Sequence, residues 1–283
     1  MVISMESYRE IEKNLIKKFR KTIWTKFVHA VKDFNMIEED DKIAVCISGG
    51  KDSMLLAKCM QELQRHGQFK FELEFITMDP GYHPDNVKMI EDNAKLLNIP
   101  LTMFKTDVFE VVSKYGMNEP CYLCARMRRG HLYAKAQELG CNKIALAHHM
   151  DDAIETIMMN MLYNGRFGTM MPKLKSTNHK GMELIRPLYY VVEEDIKAFV
   201  KANDLHFIDC GCMITVCSSS TKRSEMKQLI KELKKGNPNA DKNIFKSSEN
   251  VVMDTVIGYH KGKQFHSFLD EYEEEVEMKE EEK

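Results

Sequence analysis

A glycine-rich loop is the first part of the chain whose residue types can do chemistry. It follows the apolar run KIAVCI, precedes a segment with helical apolar spacing, and consists of Ser48, Gly49, Gly50, Lys51, Asp52 and Ser53. Adjacent glycines let the backbone turn sharply and approach an anion, while hydroxyls and the N–H groups of a new helix supply donors. The loop is therefore predicted to hold the phosphates of a nucleotide, with Asp52 facing Mg²⁺ and Lys51 contacting phosphate.

The glycine spacing separates this loop from two common nucleotide motifs. It has neither the glycine spacing of a Walker A loop nor the G-x-G-x-x-G of a dinucleotide-binding loop. The pattern Ser-Gly-Gly-x-Asp-Ser after a first strand resembles the signature of the PP-loop ATP pyrophosphatases, which split ATP between its alpha and beta phosphates and transfer AMP. The alternative is a strand-to-helix turn that serves packing alone.

Polar residues also follow two later strands. Asp79 ends the run FITMD, where its carboxylate is predicted to face the ribose or a metal ion, and the segment ALAHHMDD contains His148, His149, Asp151 and Asp152. Carboxylates at the start of a helix also act as caps. We expect one of the two aspartates to cap the helix and the other to face the pyrophosphate. His148 is predicted to line the nucleotide site, and for both histidines metal binding and structural hydrogen bonding remain open.

The spacing of the cysteines indicates a metal centre. Cys121 and Cys124 form a Cys-x-x-Cys pair, and two thiolates three residues apart can chelate one metal through a single turn. Further ligands lie on a later loop, at Cys210, Cys212 and Cys217. A four-cysteine zinc site and a thioredoxin-like redox pair are the alternatives. The remaining cysteines are predicted to be inert core thiols: Cys46, Cys59 and Cys141.

Alternating apolar runs and helical segments must position these residues. The runs are KIAVCI, FELEFITM, LTMFK, KIALAH and ELIRPL, and the helices are predicted near 52–65, 85–97, 107–115, 124–139, 151–164 and 193–202. This alternation is typical of the α/β class and predicts a doubly wound parallel sheet of about five strands, covered on both faces. Ligands of such sheets bind at the carboxyl ends of the strands, where the polar residues above fall.

Composition and segment boundaries describe the rest of the chain. Hydrophobic residues make up 43% and charged residues 30% of the 283 residues, and no apolar run approaches a membrane span or secretion signal, so we expect a cytoplasmic protein without a membrane anchor. Cysteines stay reduced there, which favours metal binding over disulfides. The predicted segments are an N-terminal helical segment (1–40), a nucleotide-binding catalytic domain (41–205), a cysteine loop with closing helices near 222–235 and 241–251 (206–268), and an acidic disordered tail (269–283).

Long motifs of the chain resemble the tRNA 2-thiocytidine synthetases (the TtcA family). The matching segments, in the family's order, are DFNMIEEDDKIAVCISGGKDS, PCYLCARMRRGHLYAKAQELGCNKIALAHHMDD and IETIMMNMLYNGRFGTMMPKL, and the similarity extends from about residue 15 to about residue 250. The resemblance implies an enzyme that binds ATP and Mg²⁺ and adenylates the C2 carbonyl oxygen of a cytidine in the tRNA anticodon loop, at position 32. It further implies that sulfur then replaces that oxygen.

The same resemblance implies a [4Fe-4S] cluster on three cysteines, with one iron open to the incoming sulfur. By motif, Cys121 and Cys124 are two of these ligands. The third is expected to be Cys217, because small polar residues follow it as Gly-Ser follows the family's ligand, and Cys210 and Cys212 are the alternatives. A cysteine desulfurase is implied as the sulfur donor.

Two other readings fit parts of the sequence. An enzyme that attaches an amine, as in amidation or lysidine formation, or that acts on another tRNA base or a small molecule, would use the same loop without the cysteines. A non-catalytic nucleotide-binding metal-cluster protein would keep the cysteines, but it has little use for Asp52 and Ser53, which suit Mg²⁺-pyrophosphate chemistry. The long N-terminal helix is compatible with a homodimer and equally with packing on the core.

Overall fold

A six-stranded sheet forms the centre of the larger of two compact units, Met1–Asp241. The computed structural model describes residues 7–67, 70–115, 120–208, 218–270 and 272. The strands of the sheet are β1 (Lys42–Cys46), β2 (Glu72–Asp79), β3 (Leu101–Lys105), β4 (Lys143–Ala145), β5 (Lys173–Lys175) and β6 (Glu183–Ile185). Their order is β3-β2-β1-β4-β6-β5, and every neighbouring pair is parallel except β5 with β6. The predicted parallel sheet of about five strands is confirmed, with β5 as an additional antiparallel edge.

Helices connect the strands and cover the sheet. They are α1 (Ser7–Lys13), α2 (Thr25–Asp33), α3 (Lys51–His66), α4 (Pro84–Leu96), α5 (Val108–Tyr115), α6 (Pro120–Glu138), α7 (Met150–Asn164), α8 (Glu193–Ala202), α9 (Ser218–Gly236) and α10 (Ala240–Ser247). On one face of the sheet, Ala44 and Cys46 of β1 pack against Tyr133 and Ala136 of α6. Val45 points to the opposite face and is also fully buried, so both faces of β1 are covered.

The strand order places a ligand crevice between β1 and β4. From β1 the chain builds outward through β2 and β3 on one side, and through β4 and β6 on the other. In open parallel sheets ligands bind outside the carboxyl ends of the strands at such a reversal. The glycine-rich loop follows β1 and the segment from Leu146 to Asp152 follows β4, so both lie at this point.

The N-terminal segment is helical as predicted, but it is not one regular α-helix. Two π-helical segments, Asn14–Lys18 and Arg20–Trp24, lie between α1 and α2. The buried apolar residues recur every four positions: Ile11, Leu15, Phe19, Ile23 and Phe27. An α-helix turns every 3.6 residues, so a strict four-residue stripe would drift around it, and the wider π turns keep the stripe facing one way.

This N-terminal segment is attached to the core by a buried ion pair and by aromatic packing. The ammonium group of Lys58 in α3 lies 2.6 Å from Glu12 Oε1 and is almost fully buried. Phe19 packs edge-on against Phe199 of α8, with ring centroids 5.4 Å apart. A buried cation is tolerated when a carboxylate neutralises it at hydrogen-bonding distance, as here.

The second compact unit, Lys242–Lys283, contains a hairpin that the sequence did not predict. Its strands are β7 (Gly258–Lys261) and β8 (Gln264–Ser267), and they are joined through Gly262, whose φ is +67°. Helices α9 and α10 match the predicted closing helices. The acidic tail beyond residue 272 lies outside the described residues. The predicted boundaries at 40, 205 and 268 stay predictions. None of the described helices is both long enough and apolar enough to cross a membrane.

Candidate active site

The glycine-rich loop takes its shape from two glycines with different surroundings. Gly49 has φ +87°, and a Cβ added to it would lie 2.6 Å from Ile90 Cγ1 and 2.7 Å from Ile208 Cδ1, so only glycine fits. A Cβ on Gly50 would have no neighbour nearer than Ser48 Oγ at 3.7 Å. A Cβ on Gly50 would thus make ordinary van der Waals contact, so Gly50 causes no crowding directly before α3, where a helix N-terminus attracts an anion.

Ser53 closes the loop from the first turn of α3. Its hydroxyl donates to Gly50 O at 2.9 Å and accepts from Ser48 N at 3.1 Å, and the two serine hydroxyls lie 3.2 Å apart. Ser53 is only 3% exposed. In this structure the hydroxyl predicted to face phosphate holds the loop in shape.

Asp52 combines an engaged oxygen with an oxygen that lacks a partner. Its Oδ2 lies 3.1 Å from Lys51 Nζ, which also reaches Glu193 Oε1 at 3.2 Å. Among the described residues no group hydrogen-bonds to the buried Oδ1, and His149 Nε2 is 3.9 Å away. A buried carboxylate oxygen without a donor suits a divalent cation, whose preferred ligands are oxygens. The arrangement fits the Mg²⁺ predicted at this residue.

Asp151 and Asp152 at the start of α7 both make hydrogen bonds within the protein. Asp152 Oδ2 accepts from His149 N at 3.0 Å, and its Oδ1 lies 2.6 Å from Arg223 Nη1 of α9. Asp151 Oδ2 accepts from Glu193 N at 2.7 Å and so fixes the start of α8. The expected capping role falls to Asp152 by geometry, while Asp151 joins two helix N-termini.

The two histidines of this segment have opposite electrostatic surroundings. Burial lowers the pKa of His148 to about 4, with the nearby Arg186 charge acting in the same direction, so His148 is neutral. Burial also opposes a charge on His149, but the carboxylates of Asp151, Asp152 and Asp52 outweigh it and raise its pKa. His148 Nδ1 is buried without a hydrogen-bond partner among the described residues.

Glu193 links the glycine-rich loop to the C-terminal helix α9. It contacts Lys51 at 3.2 Å, Lys197 at 3.0 Å and Lys227 at 2.5 Å. Burial opposes its ionisation, but the three lysines dominate and lower the pKa of Glu193 to about 2. The sequence reasoning missed this residue and Arg223. Their only signals were an acidic residue at a helix start and a basic residue on a helix, which are common features.

A cleft of about 410 Å³ lies between the ends of β1 and β4 and the helix α6. Its lining residues are Cys46, Ile47, Ser48, Asp52, Ser53, Met78, Ala125, Arg128, Arg129, Leu132, Ile144, Leu146, Ala147, His148 and Asp152. Five predicted site residues therefore share one cavity with the helix that begins at the Cys-x-x-Cys pair. Asp79 is not among them, since its Oδ1 accepts from Gly81 N at 3.0 Å and Tyr82 N at 2.8 Å and closes the turn after β2.

The cysteine pair lies in the first turns of α6, and the following residues of this helix line the cleft, whereas Cys124 itself does not. Cys124 precedes Ala125, which lines the cleft, and packs on a cluster that includes Met78, another lining residue. The side chain of Cys121 lies outside the described part of the structure, as do Cys210, Cys212 and Cys217 in full. Their predicted ligand roles stay predictions.

The three cysteines predicted to be inert are buried core residues. Cys46, Cys59 and Cys141 are at most 7% exposed. Burial raises the pKa of Cys46 to about 12 and that of Cys141 to about 11, and it raises the pKa of Cys59 as well. Such thiols stay protonated and cannot serve as thiolate ligands.

Comparison with known proteins identifies a family that matches most of the chain. The PP-loop domain family ATP_bind_3 matches residues 19–211. A tRNA-cytidine(32) 2-sulfurtransferase of Syntrophotalea carbinolica is 37% identical over 243 residues, covering 85% of this chain and 92% of that protein. Another protein of that name, from Geotalea uraniireducens, is 39% identical over 226 residues, covering 78% and 88%.

A solved structure shares the fold. The U34-tRNA thiolase NcsA from Methanococcus maripaludis, determined with its [4Fe-4S] cluster, superposes with a TM-score of 0.65 at 21% identity, covering 84% of this chain and 80% of that chain. At this identity the match establishes the fold alone.

Proposed function

The chain belongs to the PP-loop family and, within it, to the tRNA-cytidine(32) 2-sulfurtransferases, and we propose that it uses ATP to thiolate a tRNA cytidine. In the proposed reaction the C2 carbonyl oxygen of cytidine 32 attacks the alpha phosphorus of ATP, and the bond to the beta phosphate breaks. The products of this step are adenylated tRNA and pyrophosphate. Sulfide then forms a bond to C2, the C2–O bond breaks, and AMP leaves with the original oxygen while the proton of hydrosulfide is released.

The loop residues have roles that follow from their positions. The backbone at Gly50 and the N-terminus of α3 would receive the phosphates, and Gly49, at φ +87°, permits the turn that leads into this helix. Asp52 would hold Mg²⁺, since its Oδ1 is buried without a partner among the described residues, and the ion would supply positive charge to offset that of the departing pyrophosphate. Lys51, which contacts Asp52 and Glu193, is within reach of the same phosphates.

Cys121, Cys124 and Cys217 would hold the [4Fe-4S] cluster, as thiolates do. When bound, such a cluster supplies an open iron position for sulfur. The relative with the same fold, the thiolase NcsA, carries a cluster of this type. Arg128 and Arg129 of α6 line the cleft beside the cysteine helix and would contact the phosphates of the tRNA backbone.

One observation carries the proposal: the nucleotide loop and the cysteine helix line the same cleft. Ser48, Asp52 and Ser53 contribute to it from the loop side, and Ala125 contributes from the turn that follows Cys124. An enzyme that attaches an amine would not need thiolates at this position. A pure nucleotide sensor would not need a carboxylate oxygen without a partner beside the phosphate site.

The remaining features of the proposal concern its partners and location. A cysteine desulfurase would supply the sulfur as a persulfide, which a cellular thiol would reduce to sulfide, and the reaction would take place in the cytoplasm, where thiols are kept reduced. A homodimer is compatible with the chain.

The proposal is tested by mass spectrometry of tRNA after reaction with anaerobically prepared protein, ATP and sulfide. Wild-type protein should form 2-thiocytidine, and Cys121→Ala should form none while it still binds ATP. Cys141→Ala is the matched control, because Cys141 is a buried core thiol, and it should retain thiolation. A Cys121→Ala protein that thiolates tRNA at the wild-type rate would refute the assignment. Unmodified tRNA from the wild-type protein, together with incorporation of an amine, would favour an amidating or lysidine-type enzyme instead.

A further inference from the structure

Arg186 is a buried cation that has no carboxylate of the described residues at ion-pairing distance. It follows β6 directly, is 7% exposed, and donates through Nη1 to Met171 O, while its Nε has no hydrogen-bond partner among the described residues. Among the described residues, no carboxylate lies within 4.0 Å of the Arg186 guanidinium, unlike the carboxylates that pair with Lys143 and Lys58. Burial lowers the pKa of Arg186 to about 10, still well above neutrality, so the group is charged.

Two other buried cations of this protein each form an ion pair with a carboxylate. Lys58 lies 2.6 Å from Glu12, and Lys143 lies 2.6 Å from Asp41. Both are at most 2% exposed, and both are neutralised at hydrogen-bonding distance. A buried guanidinium without an ion-pairing carboxylate costs free energy of folding, and an anionic ligand would offset this cost.

Arg186 lies behind the residues that line the cleft and is not itself one of them. Ile185 O accepts from Leu146 N at 2.9 Å, so Arg186 is next to the segment Leu146–His148 that lines the cleft. Burial is the main cause that lowers the pKa of both His148 and Arg186, and the charge of Arg186 acts in the same direction on His148, as that of Arg129 does on Arg186. The carboxylate of Asp152 opposes both shifts, so the three groups and Asp152 share one electrostatic neighbourhood. His148 adds a buried ring nitrogen, Nδ1, without a partner in the described part of the chain.

We propose that Arg186, with Arg129 and His148, forms a second anion subsite of the cleft, and that its ligand is a phosphate oxyanion. This inference rests on the proposed function and deepens it, because the reaction brings two phosphate-bearing molecules into the cleft. The phosphate belongs either to ATP or to the tRNA backbone. A guanidinium is suited to this ligand, since its planar set of donors matches two phosphate oxygens.

The test compares Arg186→Met with wild type in three binding measurements that need no turnover: pyrophosphate, ATP and tRNA, each added alone. Loss of a charge-assisted hydrogen bond is expected to weaken the affected ligand by about tenfold to a hundredfold. If the phosphate comes from ATP, pyrophosphate and ATP lose affinity and tRNA does not. If it comes from the tRNA backbone, the pattern is reversed. Either pattern supports the subsite, even if the protein should prove not to thiolate tRNA.

Thermal unfolding separates this role from a structural one. Arg65, which lies 2.9 Å from Glu12 and 2.7 Å from Glu62, is the matched control. Arg65→Met should lower Tm without changing the affinities for pyrophosphate, ATP and tRNA. Arg186→Met should keep or raise Tm, and it should lose affinity either for pyrophosphate and ATP or for tRNA. Unchanged affinity for all three ligands would overturn the proposal. So would failure of both Arg186→Met and Arg186→Gln to fold, because the arginine would then serve the fold.

Discussion

Two groups of charged residues around the cleft differ in the partners that the protein supplies to their charged groups. The aspartate group consists of Asp52, Asp151 and Asp152. Each of its members has a partner from the protein: Lys51 at 3.1 Å, the Glu193 backbone N–H at 2.7 Å and Arg223 at 2.6 Å. The arginine group consists of Arg128, Arg129 and Arg186. Within the described residues, no carboxylate lies within 4.0 Å of any of these three guanidinium groups. Arg223 and Arg65, by contrast, each have a carboxylate within that distance.

This difference indicates that the aspartate group is held in a fixed geometry by the protein, whereas the arginine group is available to bind an anion. The aspartate group is fixed by ion pairs that tie the N-termini of α3, α7 and α8 to α9, so Mg²⁺ and phosphate would meet carboxylates that already have their positions. The arginine group keeps its positive charge for an external anion. A polyanion such as tRNA gains most from cations that have no carboxylate partner within the protein. The two groups should therefore respond to mutation in different observables.

The largest expected effect is that of Asp52→Asn. An amide cannot replace the carboxylate as a Mg²⁺ ligand, so the single-turnover rate of ATP-dependent thiolation should fall by about a thousandfold. Cluster absorption should be unchanged. Asp85→Asn, at an exposed position of α4, is the matched control and should have the wild-type rate. A rate for Asp52→Asn above about a tenth of wild type would show that the aspartate group is not the metal site.

Arg223→Gln should act mainly on stability. Without the guanidinium, Asp152 and the buried Glu155 lose the cation that lies 2.6 Å and 3.3 Å from them. Since Arg223 is partly exposed, we expect a loss of about 1–3 kcal/mol in the free energy of unfolding, measured by urea denaturation. Arg223→Lys should restore part of it. Equal stability of Arg223→Gln and wild type would mean that the aspartate group does not depend on α9.

Glu155 makes the aspartate group sensitive to pH. Burial raises its pKa from 4.5 to about 7, so the native state binds a proton that the unfolded state releases between these values. Its contribution to stability is present below pH 4.5 and is lost as pH rises through 7, by about 3 kcal/mol.

His148 has the opposite sign over a similar range, because its pKa is lowered from 6.5 to about 4 and its contribution is lost as pH falls. The difference between Glu155→Gln and wild type isolates the glutamate. The stability of Glu155→Gln relative to wild type should rise between pH 4.5 and pH 7. A difference that stays constant with pH would contradict a buried, protonated Glu155.

The smallest expected effect is that of Arg129→Met in the arginine group. Loss of one phosphate contact should weaken tRNA binding by about threefold to tenfold and reduce the slope of log Kd against log salt by about 1. The free energy of unfolding should change by less than about 0.5 kcal/mol, because Arg129 has no carboxylate partner in the described chain. Arg129→Lys keeps the charge and should keep the slope. A large loss of stability in Arg129→Met would remove the contrast between the two groups.

Much of the fold could be predicted because its signals are local. Apolar runs and helical spacing gave every parallel strand and each helix between them. The edge strand β5 could not be found in this way, since its three residues, KLK, carry no apolar run. The hairpin of β7 and β8 has the same difficulty, because GYHK and QFHS lack the alternation of a half-buried strand.

The candidate site was predictable only where it is continuous in sequence. Ser48, Asp52 and Ser53 share one loop, and the sheet topology brings His148 and Asp152 to the same edge. Sequence patterns could not predict the roles of Glu193 and Arg223, because their ion-pair partners lie far away in the chain. They could not predict that of Arg186 either, because it depends on the absence of a carboxylate near its guanidinium among the described residues. The interaction of Asp79 with the turn that follows it likewise depends on the path of the backbone after β2.

The central claim, that the nucleotide and the cysteine-bound cluster occupy one cleft, is tested most directly by electron paramagnetic resonance. The reduced cluster of anaerobically prepared protein would be examined with Mg²⁺-ATP and with Mn²⁺-ATP. Paramagnetic Mn²⁺ held by Asp52 should make the cluster signal harder to saturate with microwave power, and Asp52→Asn should abolish the difference. Identical saturation of the wild-type cluster with the two metal ions would contradict the account.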